Sequence, residues 1–297
     1  MALDRERLRK PVKKLRKLLK KFSKQPDQGE VHDLRTNTRQ LEVLLNALQL
    51  DSRGNEKKLL QTLATIRKKA GKVRDMDVLT QFASTLHAGE EEDCRVALIE
   101  HLGAKRYRQA SKLGRLVQSE RRPIRKRLKR SAARVDKALG NPKQPGYDGQ
   151  AGAEAAALSM RLAAELRDPP RLDSGNLHDY RKKVKELRYV LKFAENSDSD
   201  LIATLGDVKD AIGEWHDWVE LGAIAEKALD HGSRCGLLHE IHAIGKTKFD
   251  HALSLANQMR AQYLGVSSRK ERGRIRQRGR TGPITKPVLA ATASIAA

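Results

Sequence analysis

Apolar side chains recur along this chain with the period of an amphipathic α-helix. Leu, Ala, Arg, Lys and Glu dominate up to about residue 262, and runs of β-branched residues are absent. The pattern predicts one or two helices over 55–87, a pair of helices over 91–139, and single helices over 3–22, 30–50, 151–167, 175–195, 199–230 and 233–262. The predicted fold class is therefore all-α.

Two stretches of the sequence are nearly alike. One, starting at Val31, reads V-H-D-L-R-T-N-T-R-Q-L-E-V-L-L, and the other, starting at Leu177, reads L-H-D-Y-R-K-K-V-K-E-L-R-Y-V-L. A Gly-x-x-[Arg/His]-Asp segment follows each copy, at Gly71 and Gly213. The two histidines are 146 residues apart and the two glycines 142 residues apart. A repeat of this length indicates duplication of a whole helical bundle and not a solenoid array.

Each copy places a histidine within a basic stripe when it is projected on a helix at about 100° per residue. Around His32 lie Arg35 and Arg39, whereas the far side carries Val31, Leu34, Leu41, Leu44, Leu45 and Leu48. The second copy gathers Arg181, Lys182 and Lys185 around His178, with Arg188 one turn on; its far side carries Leu177, Tyr180, Val184, Leu187, Val190 and Leu191. Both histidines are therefore predicted to lie opposite the core.

The sign of these stripes favours an anionic ligand. A solvated helix face usually mixes charges, because Glu and Lys pair at i, i+4, whereas stripes of like charge repel and cost stability. That cost is easiest to understand if an anion neutralises the stripe. The acidic neighbours of the histidines, Asp33 and Asp179, are expected to cap their helices at the N-terminus.

Overall charge supports the same interpretation. The 297 residues include 60 Lys and Arg against 37 Asp and Glu, a formal net charge of +23, and only 4% are aromatic. Basic residues are dense over 5–24 and over 105–130, which contain eleven and twelve of them. Such clustering predicts a polyanionic partner. Secondary basic contacts are predicted at Lys13, Lys17, Arg74 and His216.

The cysteine content and the breaks in the helical pattern predict the cellular compartment and the domain boundaries of the chain. Two cysteines fit a reducing cytosol, and no apolar stretch predicts a signal peptide or a membrane partner. Gly140 to Gly146 breaks helix, so we predict one domain over 1–265 with halves of about 1–140 and 151–265 and a linker over 141–150. Residues 266–297 are Arg- and Gly-rich and are predicted to be a disordered basic tail.

Three other functions are compatible with parts of the sequence. Metal binding is disfavoured because cations surround the stripe histidines and His239 and His242 lack the HExxH spacing; no metal and no cofactor are expected.

Nonspecific nucleic-acid binding suits the charge, but aromatic residues for stacking are scarce, and we assign Trp215, Trp218, Tyr107 and Phe249 to the core. An enzyme would need an acidic metal cluster or a P-loop, so none is expected; Asp75 and Asp217 should organise helix ends or pair with cations.

The order of the motifs resembles the CHAD family, the conserved-histidine α-helical domain. The resemblance rests on H-D-L-R-x-x-x-R-x-L at His32, H-D-Y-R-K-K-x-K-E-L-R-Y at His178 and the segments at Gly71 and Gly213, over roughly residues 1–262. It implies two four-helix bundles related by a pseudo-twofold axis, with a basic central groove or pore. No E-x-E-x-K motif of the triphosphate-tunnel domain that some members carry is present, so a stand-alone binding module is expected.

The resemblance also implies a function. Members bind inorganic polyphosphate and are often recruited to polyphosphate granules in bacteria or archaea, so a cytoplasmic, non-catalytic polyphosphate binder is expected, with general nucleic-acid or polyanion binding as the alternative. The family's basic motif positions correspond here to His32, Arg35, Arg39, His178, Arg181, Lys185 and Arg188. Gln40 and Glu42 stand where the first motif often has basic residues, so the first half is expected to bind less tightly.

Overall fold

A computed structural model of the chain describes residues 3–87, 92–139, 149–229 and 235–266. Within these ranges eight helices form: α1 (Arg5–Lys21), α2 (Gln28–Ala47), α3 (Gly54–Ala83), α4 (Glu92–Ala138), α5 (Gly149–Arg167), α6 (Leu177–Leu191), α7 (Ser199–Ala228) and α8 (Gly236–Leu264). The described residues contain no strand, only an isolated bridge between Leu3 and Ala194. The all-α prediction is confirmed. A helix able to span a membrane is not found among them.

The predicted pair of helices over 91–139 is wrong, because α4 runs unbroken for 47 residues. Pro123 lies inside it and removes one backbone donor, which ordinarily costs about 3 kcal/mol in a helix interior. The buried positions nevertheless keep a helical spacing on both sides of the proline: Leu113, Val117, Ile124 and Leu128. Packing of this continuous apolar stripe outweighs the loss of one hydrogen bond.

The start of α2 is set by a capping box. The side chain of Asp27 accepts a hydrogen bond from the backbone N–H of Glu30 at 2.7 Å, and the Glu30 carboxylate accepts one from the backbone N–H of Asp27 at 3.2 Å. The prediction that Asp33 caps this helix is therefore wrong, since it lies beyond the first turn. Asp179 lies in the first turn of α6, where a negative charge is favourable, but the N-cap position itself is Asn176.

The chain divides into two compact units. One takes the described residues within 5–144 and 215–247, and the other takes those within 1–4, 145–214 and 248–297. Helices α7 and α8 each contribute a segment to both units. The predicted halves and their boundary stay a prediction. Of the predicted linker over 141–150 and the predicted tail over 266–297, residues 141–148 and 267–297 lie outside the described residues, whereas residues 149 and 150 belong to α5.

The predicted apolar faces of both motif helices are confirmed as core. All six far-side residues predicted for each motif are buried. Elsewhere, Trp218 is buried and stacks on Phe82 with ring centroids 4.8 Å apart, and Trp215 is also buried. The assignment of Tyr107 to the core is wrong, because its side chain is 65% exposed. Phe249 is half-buried.

Helix α4 lies against the segment that follows α1. A Cβ added at Gly114 would overlap the backbone carbonyl of Lys24 and lie 2.9 Å from its Cα. Nearby, the Gln118 side-chain amide donates to the Phe22 carbonyl at 2.6 Å. Glycine at position 114 therefore permits a backbone approach that a larger residue would block.

We predict that Gly114→Ala lowers the free energy of unfolding by roughly 1–3 kcal/mol, the usual range for overpacking a rigid contact. Gly103→Ala in the same helix is the matched control, because a Cβ there meets nothing within 4 Å. That change should leave stability unchanged or raise it by up to about 1 kcal/mol, since alanine favours helix more than glycine does. Urea unfolding measures both; equal effects would contradict the close approach.

Candidate anion-binding site

On α2, the predicted stripe residues differ in exposure. His32 is exposed, whereas Arg35 and Arg39 are half-buried. The Nη1 atom of Arg35 lies 3.5 Å from Oδ1 of Asp75 on α3. A Cβ at Gly71 would lie 2.9 Å from the same Nη1 atom. Gly71 of α3 thus makes room for Arg35 of α2.

The same contact recurs at the corresponding positions of α6 and α7. A Cβ at Gly213 would overlap the guanidinium of Arg181, whose Nε donates to the carbonyl of Lys209 at 3.0 Å. Two turns further along α6, Arg188 Nε donates to the carbonyl of Ile202 at 3.0 Å. A Cβ at Gly206 would lie 3.1 Å from Nη2 of Arg188. Two arginines of α6 are therefore fixed across α7 by backbone acceptors.

The remaining stripe residues of α6 vary in their surroundings. His178 and Lys185 are half-buried, whereas Lys182 is exposed and donates to Oδ1 of Asp179 at 2.7 Å. That hydrogen bond, together with the lysine charge, lowers the pKa of Asp179. Both side chains of this pair are more than half exposed, so the ion pair is weak, and binding of an anion by Lys182 stays a prediction.

Arg39 on α2 is also balanced internally. Its Nη1 lies 2.8 Å from Oε2 of Glu42, and the same oxygen lies 2.6 Å from Nη1 of Arg67 on α3. The other oxygen, Oε1, accepts from Nη2 of Arg67 at 3.0 Å. Glu42 therefore occupies a two-arginine clamp, which agrees with the expectation of weaker binding in the first half but does not test it.

A carboxylate cluster lies near Arg35. Burial raises the pKa of Asp75 to about 6; the Arg35 charge opposes the rise, and the charges of Glu220 and Asp217 add to it. On α7, His216, Asp217 and Glu220 place one ligand atom each within 4.8 Å of one another, an arrangement that could hold a divalent cation. The sequence motif does not predict this set, because Glu220 lies outside the Gly-x-x-His-Asp segment that contains His216 and Asp217.

The secondary basic residues are spread over several helices. Lys13 and Lys17 are exposed on α1, Arg74 is half-buried on α3, and His216 is half-buried on α7 with Nδ1 3.7 Å from Oδ1 of Asp217. A separate basic cleft of about 620 Å³ is lined by Gly54, Asn55, Lys58, Arg122, Pro123, Lys126, Arg127 and Arg130. The basic lining makes this cleft a competing candidate for an anionic ligand.

The motifs and the helical fold are shared with known proteins. A sequence model of the CHAD domain matches residues 6–226. The chain belongs to the CHAD domain family. A crystal structure of the CHAD domain from the plant Ricinus communis is similar, with a TM-score of 0.57 and 17% sequence identity, covering 88% of this chain and 93% of that one. The comparison with curated proteins gives no match.

Within the CHAD fold, the structure adds residues that sequence reasoning missed. Lys192 follows α6 as its C-cap, and burial, together with the charges of Arg188 and Lys209, lowers its pKa. These three cations belong to one basic cluster, although the sequence motif includes only Arg188. Aligning the two halves brings Lys209 opposite Arg67, a basic residue at both positions, so the duplication carries a signal for Lys209. Lys192 stands opposite Asn46, so the alignment carries none for it.

We predict a pH-dependent cost from Asp75. Burial raises the pKa of Asp75 to about 6 in the folded chain, so the folded state disfavours the ionised carboxylate. The cost to stability is absent below the unfolded pKa near 4, where the group is protonated in both states, and it develops as pH rises through 6. Asp75→Asn should therefore gain stability over the native chain between pH 4 and 7. More than a third of the side chain is exposed, so screening limits the gain to about 1 kcal/mol.

Urea unfolding across that pH range measures the difference between the two proteins. Asp250→Asn is the control, because Asp250 is an exposed aspartate of α8. A difference between Asp75→Asn and the native chain that stays constant from pH 4 to pH 7 would contradict the raised pKa.

Proposed function

We propose that this CHAD domain binds inorganic polyphosphate without catalysing a reaction, through the basic faces of α2 and α6. The carrying observation is that Arg181 and Arg188 are held across α7 by hydrogen bonds from Nε to backbone carbonyls. A guanidinium fixed in this way loses little conformational entropy when an anion binds. The proposal includes the pseudo-twofold pair of four-helix bundles and the basic groove implied by the motifs.

The chemistry of the stripe suits a linear phosphate polymer. Guanidinium carries five N–H donors in a planar fork that matches phosphate oxygens, and Arg188 uses one of them on Ile202. Among the described residues, Arg188 forms no ion pair with a carboxylate. Each charge-assisted hydrogen bond contributes roughly 1.5–3 kcal/mol before ordering costs. A few such contacts repeated along a polymer are sufficient for tight binding.

Non-catalytic binding is part of the proposal. The set of His216, Asp217 and Glu220 is the place where a catalytic divalent ion would be sought. We expect incubation with polyphosphate and magnesium to release no phosphate; release of phosphate would contradict this part of the proposal. In the cell, we expect the protein in the cytoplasm on polyphosphate granules.

Nucleic acid is the second candidate partner. Tyr107 is exposed on α4, and the preceding Arg106 is half-buried, with Nε bonded to Asp77 at 2.8 Å. An exposed ring can stack on a base, and the cleft lined by Arg122, Lys126 and Arg130 can contact a phosphate backbone. One exposed aromatic residue within the described ranges supports nonspecific binding only.

Parallel titrations decide between these partners. Long-chain polyphosphate and a duplex DNA of matched charge are compared at about 150 mM salt, where weak surface contacts are screened. We expect polyphosphate to bind at least about tenfold more tightly than DNA. The triple variant His178→Ala, Arg181→Ala, Lys185→Ala should lose about a hundredfold in polyphosphate affinity, which corresponds to two charge-assisted contacts.

The matched control removes three cations from the competing cleft: Arg122→Ala, Lys126→Ala and Arg130→Ala. Its polyphosphate affinity should stay within about threefold of the native value, because long-range charge alone is screened at this salt. Circular dichroism confirms that both variants remain helical. Loss of binding in the cleft variant and retention in the α6 variant would place the polymer at the cleft and contradict the proposal.

A further inference from the structure

A row of basic residues on α4 takes no part in the polyphosphate face of α2 and α6. The stretch 105–130 contains twelve Lys and Arg residues and a single acid, Glu120. Projected at about 100° per residue, half of the twelve fall within a sector of about 80° on the helix surface. These six residues, all of them exposed, form what we call the α4 stripe: Arg108, Lys112, Arg115, Arg122, Lys126 and Arg130.

The core fixes the direction in which the α4 stripe faces. Leu113, Val117, Ile124 and Leu128 lie on the opposite side of the helix, and each is at most 1% exposed. Because a helix rises by about 1.5 Å per residue, the stripe from residue 108 to residue 130 is about 33 Å long. Helix α4 is continuous over this length. Its backbone therefore holds the six cations in one ordered row on the outside of the molecule.

The cations of the α4 stripe lack carboxylate partners among the residues that the structure describes. Other arginines of the same helix do pair: Arg95 with Glu92, and Arg106 with Asp77. A row of like charges repels itself and costs stability unless an opposite charge lies nearby. The stripe is therefore available to an anion from outside the chain.

A cleft widens the stripe towards its C-terminal end. This is the cleft of about 620 Å³ that Arg122, Lys126 and Arg130 line, together with Lys58 of α3 and Arg127. Within the described residues, the side chains of Lys58 and Arg127 form no ion pair either. A ligand that follows the stripe thus meets cations from two helices at this end.

Spacing along the row favours nucleic acid over inorganic polyphosphate. Arg122, Lys126 and Arg130 follow one another at intervals of four residues, about 6 Å along the helix. Neighbouring phosphates of polyphosphate share an oxygen atom, whereas those of a nucleic acid are separated by a sugar and lie further apart. The length of the stripe is also close to one turn of duplex DNA, about 34–36 Å.

A lipid surface fits the α4 stripe less well. A helix that binds in a membrane interface carries large apolar side chains that enter the lipid. The outward position between Arg115 and Arg122 is Ser119, and the leucines and valine of this stretch that face away from the stripe are buried in the core. The stripe therefore offers charge without an apolar anchor.

We propose that the α4 stripe binds the phosphate backbone of duplex nucleic acid, independently of base sequence. The stripe lacks the Asn and Gln side chains that read adenine, so its contacts are to phosphates. Nucleic acid is then a second ligand with its own surface and not a competitor for α6. The inference goes beyond the proposed polyphosphate function and does not depend on it, because the two use different residues.

A triple variant tests the stripe at residues outside the cleft: Arg108→Gln, Lys112→Gln and Arg115→Gln. The matched control removes the same charge from exposed lysines of α3, α7 and α8: Lys68→Gln, Lys227→Gln and Lys246→Gln. Affinity for a duplex DNA longer than one helical turn is measured by fluorescence anisotropy from about 50 to about 200 mM salt. Long-chain polyphosphate and vesicles of anionic lipid are titrated in parallel, and circular dichroism confirms that both variants remain helical.

Six phosphate contacts predict that log K falls with log salt at a slope of about −5, which weakens DNA binding about a thousandfold over this range. Removing three contacts should make the slope shallower by about 3 and weaken DNA binding at least about tenfold at the lower salt concentration. The control should keep the native slope and stay within about threefold in affinity. Both variants should keep polyphosphate affinity within about threefold.

Four results would overturn the inference. Equal losses in the stripe variant and the control would show that DNA binding follows net charge alone. A loss of polyphosphate affinity as large as the loss of DNA affinity would make the stripe a general polyanion surface. Binding to anionic vesicles without binding to DNA would assign the stripe to a lipid surface. Absence of DNA binding by the native chain at about 50 mM salt would remove the partner itself.

Discussion

The close approach of an arginine side chain to a glycine on the next helix is the contact on which this site depends. Arg35 lies against Gly71, and Arg181 lies against Gly213, each where a Cβ would collide with the guanidinium. The apolar side of the same helices, including Leu34 and Val184, is fully buried and fixes their rotation. Core packing on one side therefore determines where the cations of the other side reach, and the glycines determine how closely they approach α3 and α7.

Once the cations are placed, their compensation decides what each surface can do. Repulsion among fixed like charges costs stability unless an opposite charge is nearby. Carboxylates supply that charge at Lys182 and Arg67, through Asp179 and Glu42. At Arg188, the backbone carbonyl of Ile202 orients the guanidinium without neutralising it. In our account, polyphosphate supplies the missing negative charge, so stability and ligand binding are linked at that cluster.

Periodicity was sufficient to predict most of the helices, the buried faces and the position of His32 away from the core, because each depends on spacing within one helix. The continuity of α4 through Pro123 was missed, since local helix-breaking was weighed without the packing that opposes it. Tyr107 was misplaced because an apolar spacing does not show which partner helix is present. Pairing between helices, as for Glu42 with Arg67, depends on tertiary geometry that a single-helix projection does not contain.

The most direct measurement is a crystal structure of the protein with a short-chain polyphosphate bound. The account predicts phosphate oxygens within about 3 Å of the guanidinium nitrogens of Arg188 and Arg181, the usual length of a charge-assisted hydrogen bond. Unchanged Arg-to-glycine contacts on α7 would show that the site is preformed. Phosphate density confined to the cleft of Arg122, Lys126 and Arg130, with the face of α6 empty, would contradict the central claim that the motif helices bind the polymer.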